Sequence, residues 1–205
     1  MFLQVLNDVG YKCIKEFVLN PIDTVGIPNS RNRYYLVACM DSNIFGGLEN
    51  QSITAVPLSN YLRMTDHEDS SLLVPASVTC KYGKIFDLVY QEDNHSCCFT
   101  KNYGRFYQGT GSIVCLPPLN KESGLHELFM KHDSGQEPCD GNSCILKELK
   151  LRFFSPKEIK GLMGFPEWYS FPPSTSRKQQ YQLLGNSVNV KVVQQILSLL
   201  SSSLE

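Results

Sequence analysis

The sequence predicts an α/β protein, and three observations carry that prediction. Apolar residues recur at helical spacing at both ends of the chain. Runs rich in β-branched and aromatic residues occupy 11–20 and 33–39. Gly, Pro and Asn punctuate the junctions between them.

FLQVLNDVG places Phe2, Val5, Leu6 and Val9 on one helical face, expected to pack on a core, and Gly10 ends the helix. YKCIKEFVLN reads as a strand stopped by Pro21, and DTVGIPNSRN reads as a loop. RYYLVAC, residues 33–39, is a continuous apolar run of the kind buried on both faces of a sheet. DSNIFGGLENQS is a loop, and VPLSNYLR and PASVTCKYGKIF read as short helices. DLVY and HSCCFTKNYGRFYQGTGSIVCL read as short strands, with turns at Tyr103-Gly104 and Gly109-Thr110-Gly111. Residues 121–143 are polar and Gly-containing, which predicts a mobile surface segment. After residue 151 the punctuation sharpens. Ser155 suits an N-cap, Pro156 the first helical position, and Glu158 completes a capping box. Gly164 and Pro166 end that helix. A second helix is predicted from Ser176 to Leu184, and a third after Gly185-Asn186-Ser187, where Val188, Val190, Val193, Ile196, Leu197 and Leu200 recur. No internal repeat is visible.

A chain of 205 residues supports one core with a small appendage. With 42% hydrophobic and 19% charged residues it reads as globular. The net charge of -1 gives no global basic field, so a nucleic-acid partner has to be argued from local patches. The eight cysteines follow no signal peptide and predict free thiols in a reducing compartment. Cys139 and Cys144 are five apart and Cys97-Cys98 are adjacent, so neither pair suits zinc and no metal is expected. No apolar run spans a membrane. The default address is the cytoplasm, with access to the nucleus.

Two constellations carry chemistry. A Gly-Asn-Ser sequence at a helix mouth either caps helices or holds a ligand against free N–H groups and a partial positive charge. Arg31 and Arg33 are two apart before a strand, so they share a face. They would clamp a phosphate or read a base oxygen, or else stand solvated at a strand edge. CFTKNYGRFYQGTG interleaves Lys101 and Arg105 with Tyr103, Phe106 and Tyr107. That mix suits single-stranded RNA, and equally suits a hairpin with rings inward and cations outward. Arg177 and Lys178 add positive charge near Gly185-Asn186-Ser187.

Taken in order, GIPNSRNRYYLVA, LRFFSPKEIKGLMGFP and LLGNSVNV resemble the late motifs of cytosine-5 methyltransferases. Cys98-Phe99-Thr100-Lys101, Tyr103-Gly104 and then Gly109-Thr110-Gly111-Ser112 resemble the tRNA-directed branch, the aspartate-tRNA cytosine-5 methyltransferases. The resemblance implies a partial class I, Rossmann-like α/β methyltransferase fold that binds S-adenosylmethionine and carries a small mixed target-recognition region. Residues 1–40 would supply C-terminal strands of the catalytic domain, 41–150 the target-recognition region, and 151–205 its closing helices. Asn186, Ser187 and Val188 match the motif that closes the cofactor pocket. Arg31 and Arg33 match the base-facing arginines, Arg33 being the expected contact to a flipped cytosine. Cys98, Phe99, Thr100, Lys101, Tyr103 and Arg105 match the branch-specific recognition stretch. Asn29 stands where family members often carry Gln.

The implied reaction is methyl transfer to C5 of a flipped cytosine in the anticodon loop of tRNA, aspartate tRNA being the expected partner. It needs a cysteine thiolate at C6 and a glutamate at N3. The family's Pro-Pro-Cys-Gln loop, Glu-Asn-Val segment and cofactor-gripping glycine loop do not occur in these residues; all three would lie before Met1. Pro138-Cys139 sits in a polar loop and is no substitute. The expectation is a C-terminal portion, inactive alone, with the N-terminal half as a partner in trans. A non-catalytic RNA-binding module and a fragment of a DNA-directed enzyme are the alternatives. The Cys-Phe-Thr stretch argues against DNA.

Overall fold

The computed structural model describes residues 2–40, 53–67, 69–116 and 150–201, with the single positions 122, 124 and 127. The loop expected at 41–52 and nearly all of the polar segment at 121–143 lie outside the described residues.

Helix α1 spans Phe2–Asp8 and ends at Gly10 as expected, but it buries no residue. Phe2, Val5 and Val9, the face expected to meet a core, are exposed. Strands β1 (Cys13–Leu19) and β2 (Arg33–Cys39) pair antiparallel, from Cys13 opposite Cys39 to Leu19 opposite Arg33. The expectation that β2 is buried on both faces does not hold. Its residues are half-buried, and Tyr34 is exposed, its hydroxyl donating to Glu16 Oε2 at 2.6 Å. Among the described residues the ribbon has only two strands, so no third strand or covering layer completes the burial.

The segment read as a loop between them begins with helix α2, Pro21–Val25. Pro21 does not merely stop β1. It takes the first helical turn, where a missing N–H costs nothing. Asn20 caps it through Oδ1, which accepts from Ile22 N at 3.2 Å and also from Arg31 N at 3.3 Å.

Helix α3 (Met64–His67) and helix α4 (Ala76–Tyr82) follow, flanked by 3₁₀ turns at Leu58–Asn60, Ser70–Leu72 and Gly83–Ile85. A second sheet has the order β3-β4-β5, formed by Leu88–Val89, Ile113–Cys115 and Leu151–Phe153. β3 runs parallel to β4, and β5 antiparallel to it. Of the run 95–116 read as strands, only 113–115 pairs in a sheet strand. The rest is a compact irregular loop. Gly104, Gly109 and Gly111 take positive φ and turn the chain, so its rings pack inward instead of alternating.

Helix α5 (Pro156–Leu162) has the expected capping box and ends at Gly164, φ 71°. Its N3 glutamate does more than cap. Glu158 accepts from Ser155 N at 2.8 Å, from Arg63 N at 2.8 Å, and from both terminal nitrogens of fully buried Arg152 at 2.8 Å. Helix α6 (Arg177–Asn186) starts at a second capping box, Ser176 with Gln179. Helix α7 spans Val190–Ser201.

One core gathers Ile27, Leu58, Phe99, Val114, Phe154, Leu162, Tyr181 and Leu184, so it draws on residues from 1–40, 41–150 and 151–205 alike. A smaller cluster packs Val74, Phe86, Tyr90, Ile113 and Leu151. Tyr103 joins distant segments within the first core. Its hydroxyl donates to Ser112 O at 2.6 Å and accepts from Phe154 N at 2.9 Å. Its ring meets Phe99, Phe153 and Tyr181 edge-on.

Candidate functional site: two arginines, Cys98 and the 185–188 turn

The loop 26–31 is stapled to the loop 96–99. Buried Asn29 donates through Nδ2 to Ser96 Oγ at 3.2 Å and to Cys97 O at 3.0 Å, and Ser96 Oγ donates to Pro28 O at 2.7 Å. The staple brings Arg31 and Arg33 onto one sulfur. Cys98 Sγ lies 3.3 Å from Arg31 Nη1 and 3.9 Å from Arg33 Nη2. The shared face read from their spacing is thus present, but their environments differ sharply.

Arg31 is 2% exposed. Its guanidinium donates to Phe99 O and Gly185 O, each at 3.0 Å, and to Ser187 O. Burial lowers its pKa from the ordinary value, and Cys98 opposes that shift. Three protein carbonyls therefore occupy the cation expected to face a base. Arg33 is half-buried and donates through Nη1 only to the adjacent Asn32 O, at 2.6 Å. Of the two, it alone has a guanidinium still open to a ligand.

Gly185-Asn186-Ser187 was expected at the mouth of the last helix. The structure reverses the polarity. Gly185 and Asn186 are the final residues of α6, and Ser187 is its C-cap. The turn presents carbonyls, the negative end of a helix, and these hold Arg31. Gly185 lies within the helix where a Cβ would come 2.1 Å from Lys101 N and 2.2 Å from Thr100 C. The glycine serves close approach of two backbones rather than helix breaking. The cap of α7 is Asn189, whose Oδ1 accepts from Lys191 N at 3.0 Å and Val192 N at 3.2 Å. Asn before an apolar helical run was a readable capping signal; nothing in the sequence marked Gly185 as a packing residue.

Ser187 spends its Oγ on Leu184 O at 2.7 Å, whereas Asn186 and Val188 are exposed. The turn thus leaves an open amide beside an open apolar side chain.

The recognition stretch divides. Phe99 and Tyr103 are buried, 1% and 4% exposed, so neither ring offers a stacking face. Thr100 is half-buried, its backbone N donating to Thr110 O at 2.9 Å. Lys101 and Arg105 are exposed, and Arg105 lies 5.1 Å from the Phe106 ring centroid. With Arg177 and Lys178 they line a concavity of about 430 Å³ that contains no carboxylate. The sequence left rings and cations open to either reading; here the cations face solvent and most rings face the core. Among the described residues, no three His, Cys, Asp or Glu side chains cluster as metal ligands. No described helix is long and apolar enough to cross a membrane.

The α/β scaffold that carries these two arginines and the Gly-Asn-Ser turn is that of a methyltransferase. The chain belongs to the C-5 cytosine-specific DNA methylase family, which matches residues 1–202. It is 37% identical over 207 residues to the tRNA (cytosine(38)-C(5))-methyltransferase of Spodoptera frugiperda, covering 98% of this chain and 60% of that protein. It is 38% identical over 148 residues to a DNA (cytosine-5)-methyltransferase of Dictyostelium discoideum, covering 71% of this chain and 35% of that protein. The crystal structure of a Spodoptera frugiperda DNMT2 mutant superposes with a TM-score of 0.80 at 35% identity, covering 98% of this chain and 61% of that chain. The fold is thus that of a cytosine-5 methyltransferase. The chain spans about 60% of the length of the Spodoptera relative.

Proposed function

We propose that these residues form the target-recognition and closing portion of an S-adenosylmethionine-dependent tRNA cytosine-5 methyltransferase. The substrate is a cytosine flipped from the anticodon loop, with aspartate tRNA as the expected species. The observation that carries the reading is the Arg33–Cys98 pair beside the 186–188 turn. The tRNA-directed relative aligned over 98% of the chain supports RNA over DNA.

In this reading Arg33 donates to the carbonyl oxygen of the flipped base and fixes its orientation. Arg31 contributes by holding the loops that carry Cys98 and Ser187. Lys101, Arg105, Arg177 and Lys178 take phosphates of the same RNA. S-adenosylmethionine, when bound against Asn186, Ser187 and Val188, supplies the methyl group. The attacking cysteine and the assisting glutamate come from outside these 205 residues, in cis or in trans. The exposed Phe2, Val5 and Val9 of α1 support a further protein surface packing there.

The test is binding of a tRNA transcript, competed with duplex DNA. Lys101→Gln and Arg105→Gln should each weaken tRNA binding and reduce the salt slope by about one. Duplex DNA displacing tRNA at equal concentration would favour the DNA-directed alternative, which the Dictyostelium relative represents. Tight tRNA binding with no methyl transfer by the complete protein would mark a non-catalytic RNA-binding module.

A further inference from the structure

A second basic concavity lies apart from the residues assigned above. It encloses about 520 Å³ and is lined by Arg63, Lys157, Lys160 and Lys191 against one carboxylate, Glu167. No acid pairs with these cations among the described residues. Among the described residues Arg63 and Lys157 are exposed with no side-chain partner, and Lys191 Nζ reaches only Gln194 Oε1 at 3.3 Å. Such a concavity suits a phosphate-bearing ligand.

The turn that follows α5 carries an exposed aromatic residue next in sequence to the lining Glu167. Trp168 is 83% exposed and is the only tryptophan of the chain. It stands one residue beyond Glu167. The turn is held firmly. Tyr169 N donates to Pro166 O at 3.1 Å, and Lys160 Nζ donates to Glu167 O at 3.2 Å and Tyr169 O at 2.7 Å. Phe165 and Tyr169 pack 4.9 Å apart, and Tyr169 and Phe171 5.4 Å apart, with no described ring against Trp168. The indole is thus an exposed apolar ring on a braced turn.

We propose that Trp168 and the Arg63–Lys157–Lys191 concavity form a second RNA contact, which stacks an unpaired base on the indole and seats the neighbouring phosphate among the cations. The pairing of an exposed ring with a predominantly cationic concavity is the chemistry of single-stranded nucleic-acid binding. It distinguishes this occupant from an apolar protein segment, which four cations would repel by desolvation. The inference rests on the RNA reading of the fold and extends it to nucleotides away from the target base.

Trp168 is the sole tryptophan of these 205 residues, so selective excitation of this chain reports this site alone. A tRNA transcript and a short single-stranded RNA oligonucleotide are titrated into the protein while binding is followed in parallel by anisotropy of labelled RNA. Saturable quenching of Trp168 emission is expected. Arg63→Gln with Lys157→Gln should raise Kd roughly tenfold and lower the salt slope by about 0.7 per charge. Trp168→Ala should cost about tenfold or more, and Trp168→Phe should recover most of it. RNA bound with Lys101 and Arg105 dependence but unchanged Trp168 emission would overturn this proposal and leave the first reading intact. No RNA bound at all would overturn both. Emission that shifts with protein concentration alone would make the indole a contact between copies, and the proposal would fall.

Discussion

Gly185 faces the backbone of Lys101 so closely that a Cβ would lie 2.1 Å from the Lys101 nitrogen. Backbone cannot step aside as a side-chain tip can. Gly185→Ala should therefore push α6 away from the 98–103 loop and strain the Arg31 bonds to Gly185 and Ser187. Overpacking alone costs about 1–3 kcal/mol, and a backbone collision lies at the upper end. Thermal unfolding of the variant checks this; a melting temperature equal to the parent's would refute the contact.

Arg31 and Arg33 should separate in experiment. Arg31→Gln leaves the buried carbonyls of Phe99, Gly185 and Ser187 short of donors and should cost more than about 2 kcal/mol. Arg33→Gln, at a half-exposed position, should change stability by less than about 0.5 kcal/mol and instead weaken binding of the target base. Urea unfolding and RNA affinity measured on both variants give the two readouts.

Glu158→Gln tests the buried pair with Arg152. The neutral amide leaves a guanidinium uncompensated in the core, and it cannot accept from Arg63 N and Ser155 N while serving both Arg152 nitrogens. A loss of roughly 3–5 kcal/mol is expected in chemical denaturation.

Cys97 is exposed yet should alkylate slowly. Partial burial of its thiol, with Asp87 beside it, pushes its pKa up to about 11, so the nucleophilic thiolate is scarce at neutral pH. Its alkylation rate should rise with pH towards that value. Asp87→Asn removes the negative neighbour, lowers the pKa and should speed the reaction at fixed pH. Mass spectrometry of the peptide after timed alkylation follows it; a rate flat from neutral pH upward would contradict the assignment.

The capping box at Ser155 was legible because it is local: four residues specify it. So was α1, whose period needs no partner. The burial of α1 and β2 was misjudged because apolar pattern reports what a surface could cover, not what covers it. The 95–112 loop was misread as strands for a related reason. Its aromatic residues satisfy strand propensity, but Gly104, Gly109 and Gly111 at positive φ and the keystone bonds of Tyr103 decide its course. The candidate site was named residue by residue through family resemblance. Its inner division, with Arg31 as brace and Arg33 open, was not, because two arginines two apart are indistinguishable until a helix end from 154 residues away arrives.

That distance bears on how the protein folds. The Arg31 bonds close spans of 68 residues to Phe99 and 156 to Ser187. Loop-closure entropy grows so slowly that the longer span costs only about 0.7 kcal/mol more than the shorter. The penalty falls instead on timing. A guanidinium loses its water only when all three carbonyls are in place, so the brace belongs to the slow, non-local part of the folding reaction. Removing it should speed unfolding more than it slows folding, and the loop junction it braces becomes a marker of completed assembly.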